Sequence, residues 1–123
     1  MAVMQSRDNR TFIAGEDLSA AQFKFVTLEA DGQVDLADAA GENAMGVCLA
    51  GAAAGAAVTV CVSGSVMVTA GGTIAAGASL QTDASGDAIT AASGDVVLGY
   101  AREAGVDGQI IEMEMIQGGN LVA

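Results

Sequence analysis

The sequence predicts a mainly β protein, a small β-barrel or sandwich with an internal pseudo-twofold duplication, one or two short helical turns and an extended N-terminal arm. Three observations support this prediction. Residues 43–82 contain no charged side chain. Within that stretch, apolar residues alternate with small polar ones at period two, which is the side-chain period of a β-strand. Glycines recur at the intervals at which short strands turn.

The uncharged stretch is therefore a series of packed strands. In AVTVCVSG, residues 57–64, every second residue from 58 to 62 is valine, and the residues between are Thr59 and Cys61. A transmembrane helix needs about 20 mostly apolar residues, and the recurring glycines and hydroxyl groups argue against one. A flexible linker would lack the β-branched alternation. We therefore expect no contact with a membrane.

The predicted domain organisation has three parts: an extended arm at residues 1–15, a single β-rich domain at 16–117 and a tail at 118–123. A turn at Asp31-Gly32 separates a strand in FKFVTL from one near Val34 to Leu36. Short helical turns are expected in EDLSAAQ and GAAAGAA. Further strands are predicted in AMGVCLA, AVTVCVSGSVMVTA (bent or broken at Gly64), TIAAGASLQTD, ASGDAITAA, VVLGYARE and QIIEMEMI.

The chain contains an approximate repeat of itself. Gly41 aligns with Gly94, which sets the repeat length at 53 residues (94 minus 41), with one extra residue needed before that point. The alternating strands that follow align in phase as well as in position. Two copies are too few for a solenoid, so the repeat predicts one small domain built from two similar halves. Further aligned pairs are Met45 with Leu98, Gly46 with Gly99, Gly55 with Gly108, and Val58, Val60 and Val62 with Ile111, Met113 and Met115.

Composition argues against enzymatic chemistry. Histidine is absent, which removes the most common general base and the usual partner of a nucleophilic serine or cysteine. Cys48 and Cys61 have no second pair with which to bind zinc, and we interpret them as reduced, buried side chains. Glu112 and Glu114 share one face of the last strand, which we interpret as the solvated side of an outer strand. The sequence thus predicts no catalytic residue, cofactor or metal.

Charge limits the choice of partners. Fifteen acidic residues against four basic ones give a net charge of −11, and such a surface repels nucleic acid. The start of the chain, MAVMQSRDNR, has no apolar signal segment, so we expect synthesis in the cytoplasm. A thin core of alanine and valine buries little area per residue, and association with other chains would increase that burial.

Two segments resemble the small capsid decoration, or cement, proteins of tailed bacteriophages. They are AGEDLSA followed by FVTLEADGQVDLADAAGENAMGVCLAGAAAGAAVTVCVSG, and AGGTIAAGASLQTDASGDAITAASGDVVLGYARE. The resemblance implies a mostly-β subunit that forms homotrimers on the outer surface of the virion and clamps capsomers of the major capsid protein together. The ending EMEMIQGGNLVA is longer and more acidic than that family leads us to expect.

The arm is the predicted capsid contact. It carries two of the four basic residues, and arms of this kind often become ordered by adding a strand to an exposed sheet edge. The residues expected to touch the capsid are Met4, Arg7, Arg10, Phe12 and Ile13. Two alternatives stay open: another structural β-module, such as a tail or fibre component, and a small-ligand-binding barrel. The barrel would need aromatic residues around a pocket, and the sequence has three Phe and one Tyr.

Overall fold

Nine antiparallel strands form one curled sheet in residues 5–116, the part of the chain that the computed structural model describes. The strands are β1 (Gln5–Ile13), β2 (Phe25–Leu28), β3 (Val34–Leu36), β4 (Gly46–Cys48), β5 (Ala57–Thr69), β6 (Ser79–Thr82), β7 (Ala88–Thr90), β8 (Gly99–Ala101) and β9 (Ile110–Met115). The predicted fold class is confirmed. The segments expected to form helical turns each make a single turn, closed by Ala21 N–H to Leu18 O and by Ala56 N–H to Ala53 O.

The strand order shows the duplication directly. The sheet runs β3-β2-β4-β5-β9-β8-β6-β7, with β1 added on β5. Each half consists of a lead strand, a hairpin, a short strand and a closing strand. The first half uses β1, β2, β3, β4 and the start of β5, and the second uses the end of β5, β6, β7, β8 and β9. Strand β5 is therefore the closing strand of one half and the lead strand of the other.

Residue-by-residue register confirms that the halves are copies. In the first hairpin Val26 pairs with Leu36, and in the second Leu80 pairs with Thr90. The lead strands agree as well, because Phe12 lies opposite Val58 and Val68 lies opposite Ile111. One parallel bridge curls each half back toward its own lead strand, Ala14 to Val34 in the first and Ala70 to Ala88 in the second.

Two hydrophobic clusters follow from this arrangement. The smaller belongs to the first half and contains Leu18, Val26, Val34, Cys48, Val58 and Val60 among its buried residues. The larger contains the second half's counterparts, such as Leu80, Ile111 and Met113, together with Phe25, Val47 and Cys61 from the first half. The second core therefore includes the contact between the halves. Cys48 and Cys61 lie in different clusters as free thiols, which keeps them unpaired in this fold.

Strand β5 passes from one half to the other without a break. Gly64 has a φ of 92°, a left-handed conformation that costs glycine little. The sequence left open a hairpin or a bend at this point, and the structure shows a single bent strand. Glycine is needed for a different reason at Gly46 and Gly99. A Cβ there would lie 2.2 Å from the Cys61 carbonyl oxygen and 2.4 Å from that of Glu114.

Candidate interaction surface

Strand β1 is the exposed side of the first half. It pairs with β5 along nearly its whole length, from Gln5 opposite Ser65 to Ile13 opposite Ala57. No other described strand pairs with β1. Its register is irregular between Ser6 and Asn9, where Arg7 lies. Bulges and charged side chains are common on strand edges that must not aggregate but still meet a partner.

Arg10 and Asp8 form an ion pair on this surface. The Arg10 Nη2 atom lies 2.9 Å from the Asp8 Oδ2 atom, and the two side chains are 64% and 42% exposed. The hydrogen bond from Arg10 lowers the pKa of the Asp8 carboxyl, and the same bond raises the pKa of the guanidinium. Exposed pairs of this kind add little to stability, because water and salt screen the attraction between the two charges.

The remaining predicted contact residues differ in their surroundings. Ile13 is 42% exposed, so most of one face of this apolar side chain is open to solvent or to a partner. Phe12 is half-buried and packs against the smaller core cluster. The structure brings Arg10, Phe12 and Ile13 onto one strand. The backbone of Arg7 lies in the irregular part of β1, and Met4 lies outside the described residues.

A cleft of about 650 Å³ lies beside β1, and the sequence did not predict it. We call it the terminal cleft because the first strand, β1, and the end of the last strand, β9, both line it. Residues 43–46 form another part of the wall. Its apolar lining includes Phe12, Phe25, Met45, Leu98 and Met115. Met45 and Leu98 are equivalent positions of the two halves. The terminal cleft therefore lies where the two halves meet.

Glu112 corrects the interpretation of the last strand. Both glutamates were expected on a solvated face, but Glu112 is 5% exposed. Its carboxylate accepts a hydrogen bond of 3.1 Å from Arg102, and its own N–H donates to Glu103. Glu114 lies 3.6 Å from Arg102 and has a half-exposed side chain. The strand is not an outer one, since β5 and β8 pair with its two edges.

The two cysteines and Lys24 occupy structural positions. Burial raises the pKa of both the Cys48 and the Cys61 thiol, which makes them poor nucleophiles. Lys24 lies at a junction, where its Nζ is 2.7 Å from the Asp87 Oδ1 atom of the other half. Across residues 5–116, no group of three or more His, Cys, Asp or Glu side chains could hold a metal ion. The same residues include no helix long and apolar enough for a bilayer.

Comparison with known proteins gives one family match. The model of a family described as phage cement protein matches residues 4–113 of this chain. The match spans β1 and both halves, and it ends inside β9. No curated protein matches the chain at the threshold applied.

A solved structure shares the fold. It is the crystal structure of the head fiber gp8.5 N base of bacteriophage phi29, with a TM-score of 0.71 and 19% sequence identity. The alignment covers 92% of this chain and 97% of that one. Similarity at this identity establishes the architecture, which is common to the two proteins.

Proposed function

Because the chain belongs to the phage cement protein family, we propose that it decorates the outer surface of a phage capsid as a homotrimer and bridges capsomers of the major capsid protein there. Proteins of this family are structural proteins that stabilise phage capsids. The observation that carries the proposal is the family match across residues 4–113.

The proposed capsid contact is β1 with its exposed side chains. Ile13 supplies an apolar group and Arg10 a positive charge on a chain whose net charge is −11. An acidic patch on the shell would attract Arg10 while the acidic remainder of the protein faces solvent. Arg7 and Met4 extend the same contact in the proposal.

Binding to phage shells that lack this protein tests the contact. We expect Ile13→Asp to weaken binding about tenfold or more, because the apolar anchor that the capsid would bury is replaced by a charge. Val106→Asp is the matched control, since Val106 is 58% exposed in the second half. The contact is refuted if the Ile13 variant binds as the unmodified protein does, or if both variants lose the same affinity.

Charge reversal at Arg10 separates electrostatics from folding. Arg10→Glu should slow association with shells, and the difference from the unmodified protein should shrink as salt rises. Thermal unfolding should change little, because the pair with Asp8 is exposed. An affinity that stays unchanged at low salt would remove Arg10 from the contact.

Oligomeric state is a separate part of the proposal. Light scattering after size-exclusion chromatography should give the mass of three chains, each of 12.0 kDa. The trimer is refuted if the free protein has the mass of one chain and if single, separated copies bind the shell. That result would leave the family assignment unaffected.

The structural neighbour favours a second candidate, a role in a head fibre. The neighbour is the N base of a head fibre, and the same fold could serve as such a base here. A reconstruction of particles with and without the protein decides between them. Compact density that bridges capsomers supports the cement role, whereas a projecting rod supports the fibre role.

A further inference from the structure

The second half presents on its surface the face that the first half buries against it. Val47 and Cys61 of the first half pair across β4 and β5, and both are fully buried in the larger core cluster. Their counterparts Tyr100 and Glu114 pair in the same register across β8 and β9. Tyr100 is 46% exposed, and the Glu114 side chain is half-exposed. One face of the duplicated motif is therefore covered in the first half and open in the second.

The other side of the contact between the halves shows the same difference with the halves exchanged. Thr82 and Leu98 of the second half are buried, and Thr82 O accepts a hydrogen bond of 3.0 Å from the N–H of Gly41 in the first half. The counterparts of Thr82 and Leu98 are Leu28 and Met45, which are 50% and 36% exposed. Apolar side chains are thus exposed in the first half at positions that are buried in the second.

We propose that the second half of one copy packs on the first half of another copy, as the first half packs on the second within each chain. Tyr100 of one copy then covers the surface that carries Leu28 and Met45 of the other. Such a contact joins two different surfaces, so the copies follow one another head to tail and form a ring when the rotation closes. The inference rests on the proposed homotrimer for the number of copies and adds the surfaces that join them.

Main-chain geometry supports the same arrangement. Within the chain, Phe25 N–H donates to Gly86 O over 2.8 Å. The equivalent groups are Ser79 N–H and Gly32 O, because Phe25 pairs with β4 as Ser79 pairs with β8. Both glycines have the same left-handed backbone, with φ of 83° at Gly32 and 81° at Gly86. A Cβ at Gly32 would meet nothing within 4 Å, so this turn has room for a neighbouring chain.

Charge does not oppose the contact at its centre. Within the chain, Lys24 Nζ lies 2.7 Å from Asp87 Oδ1 between the halves. The equivalent positions are occupied by Ala78 and Gln33, so association buries no charge there. Glu114 on the exposed face lies 3.6 Å from Arg102, a cation that offsets its charge.

Light scattering after size-exclusion chromatography tests the apolar part of the contact. Tyr100→Asp and Leu28→Asp should each weaken self-association at least tenfold, because each places a charge in an apolar contact. Val106→Asp is the matched control, since Val106 and its counterpart Ala53 are both exposed, and its self-association should stay unchanged. Circular dichroism identifies the variants that keep the β fold, and the comparison is made on these.

Three results of that experiment would overturn the proposal. A trimer that persists in both folded variants would refute this contact and leave the homotrimer in place. Equal weakening by the control would show that any added acid has the same effect. A single-chain mass for the unmodified protein would refute the contact and the homotrimer together. Tyr100 and Leu28 are not among the proposed shell contacts, so shell binding is tested on other variants.

Cross-linking of co-expressed variants tests the direction of the contact. Within the chain, the turn at Gly86 packs on Leu36, so the equivalent neighbours are the turn at residues 31–33 of one copy and Thr90 of another. Thr90→Cys and Gln33→Cys chains, treated together with a short bifunctional maleimide, should form pairs that contain one chain of each kind. The two native cysteines are buried and should react slowly. Failure to form mixed pairs would overturn the proposal, and so would an equal yield from either variant alone, which indicates a symmetric contact.

Discussion

The two lead strands have the same place in their motifs and opposite surroundings. In the second half, Val66 and Val68, the residues before and after Met67, are both fully buried. In the first half, the equivalent positions hold Arg10, which is exposed, and Phe12, which is half-buried. The difference shows how one duplicated motif provides both a buried strand and an exposed one: the copy whose lead strand lies at the edge of the sheet can carry charge.

The hairpins differ in the same direction. Gly32 and Gly86 are equivalent, with φ of 83° and 81°. A Cβ at Gly32 would meet nothing within 4 Å, whereas one at Gly86 would lie 2.7 Å from Leu36 Cδ1 and 3.2 Å from the Phe25 carbonyl oxygen. The second hairpin therefore packs on the first half, and its turn is also a contact between the halves.

Phe23 shows that the match between halves extends to backbone conformation. Its φ of 63° is left-handed, and its counterpart Gly77 has a φ of 85°. The two residues make equivalent hydrogen bonds. Phe23 N–H donates to Cys48 O and Gly77 N–H donates to Ala101 O, each over 2.7 Å. The motif therefore requires a left-handed backbone at this position, even for Phe23, whose side chain disfavours positive φ.

The largest expected effect tests what the halves share. Gly46→Ala and Gly99→Ala should each lower the free energy of unfolding by roughly 3 kcal/mol, because the new Cβ would overlap a backbone carbonyl that cannot move freely. Chemical denaturation measures the loss, with Gly72→Ala as the control, since nothing lies within 4 Å of a Cβ there. A loss at one position alone would contradict the equivalence of the two halves.

The next effect tests what the halves do not share. Gly32→Ala should lower the free energy of unfolding by about 1 kcal/mol, the cost of a left-handed alanine. Gly86→Ala should cost about 2 kcal/mol, because crowding against Leu36 and the Phe25 carbonyl adds to the same backbone strain. The pair is compared by urea denaturation under identical conditions. Equal losses would mean that the second turn does not pack on the first half.

A smaller effect is expected from the ion pair between the halves. A double-mutant cycle with Lys24→Met and Asp87→Asn should give a coupling energy of about 1 kcal/mol, since both side chains are mostly buried. The same cycle on Arg10 and Asp8, with Arg10→Met and Asp8→Asn, should give a smaller coupling energy than the Lys24–Asp87 cycle, because that pair is exposed. A larger coupling for the exposed pair would reverse this interpretation.

The smallest effect concerns pH. The nearby Asp35 carboxyl raises the pKa of Glu29, with smaller contributions from desolvation and from the other neighbouring acids. A raised pKa in the folded state means that the folded chain binds more protons than the unfolded one, so stability increases as the pH falls through that pKa. Glu29→Gln should therefore stabilise the protein slightly at neutral pH, and the gain should vanish in acid.

The equivalent acid of the second hairpin gives the contrast. Asp83 Oδ1 accepts the N–H groups of Ser85 and Asp87 at 2.8 and 2.9 Å. Asp83→Ala should lower the stability at neutral pH, the opposite sign from the Glu29 change, because two turn donors lose their acceptor. Thermal unfolding at several pH values checks both variants. A stability loss for Glu29→Gln at neutral pH would show that neighbouring carboxylates do not destabilise the charged form of Glu29.

Much of the fold could be predicted from the sequence because its signals are local or periodic. Alternation located the strands at 57–69 and 110–115, and the constant spacing of glycines identified the two halves, both of which the structure confirms. The candidate interaction surface was harder to predict from the sequence. Arg10 and Ile13 are exposed on β1, and that strand pairs with β5 along the sheet. The terminal cleft was not predicted, since residues far apart in the chain line it.

By itself, the sequence determined the strands, the turns and the duplication, because these follow from side-chain period and from backbone freedom at single glycines. Tertiary structure alone decided which of the two lead strands is exposed at the edge and which is buried. Glu112 and Arg10 both look like solvated charges in the sequence, yet one lies between two strands and the other on an edge. The reason is that burial depends on the neighbours that distant strands supply, and no local pattern specifies which strand has a neighbour on each side.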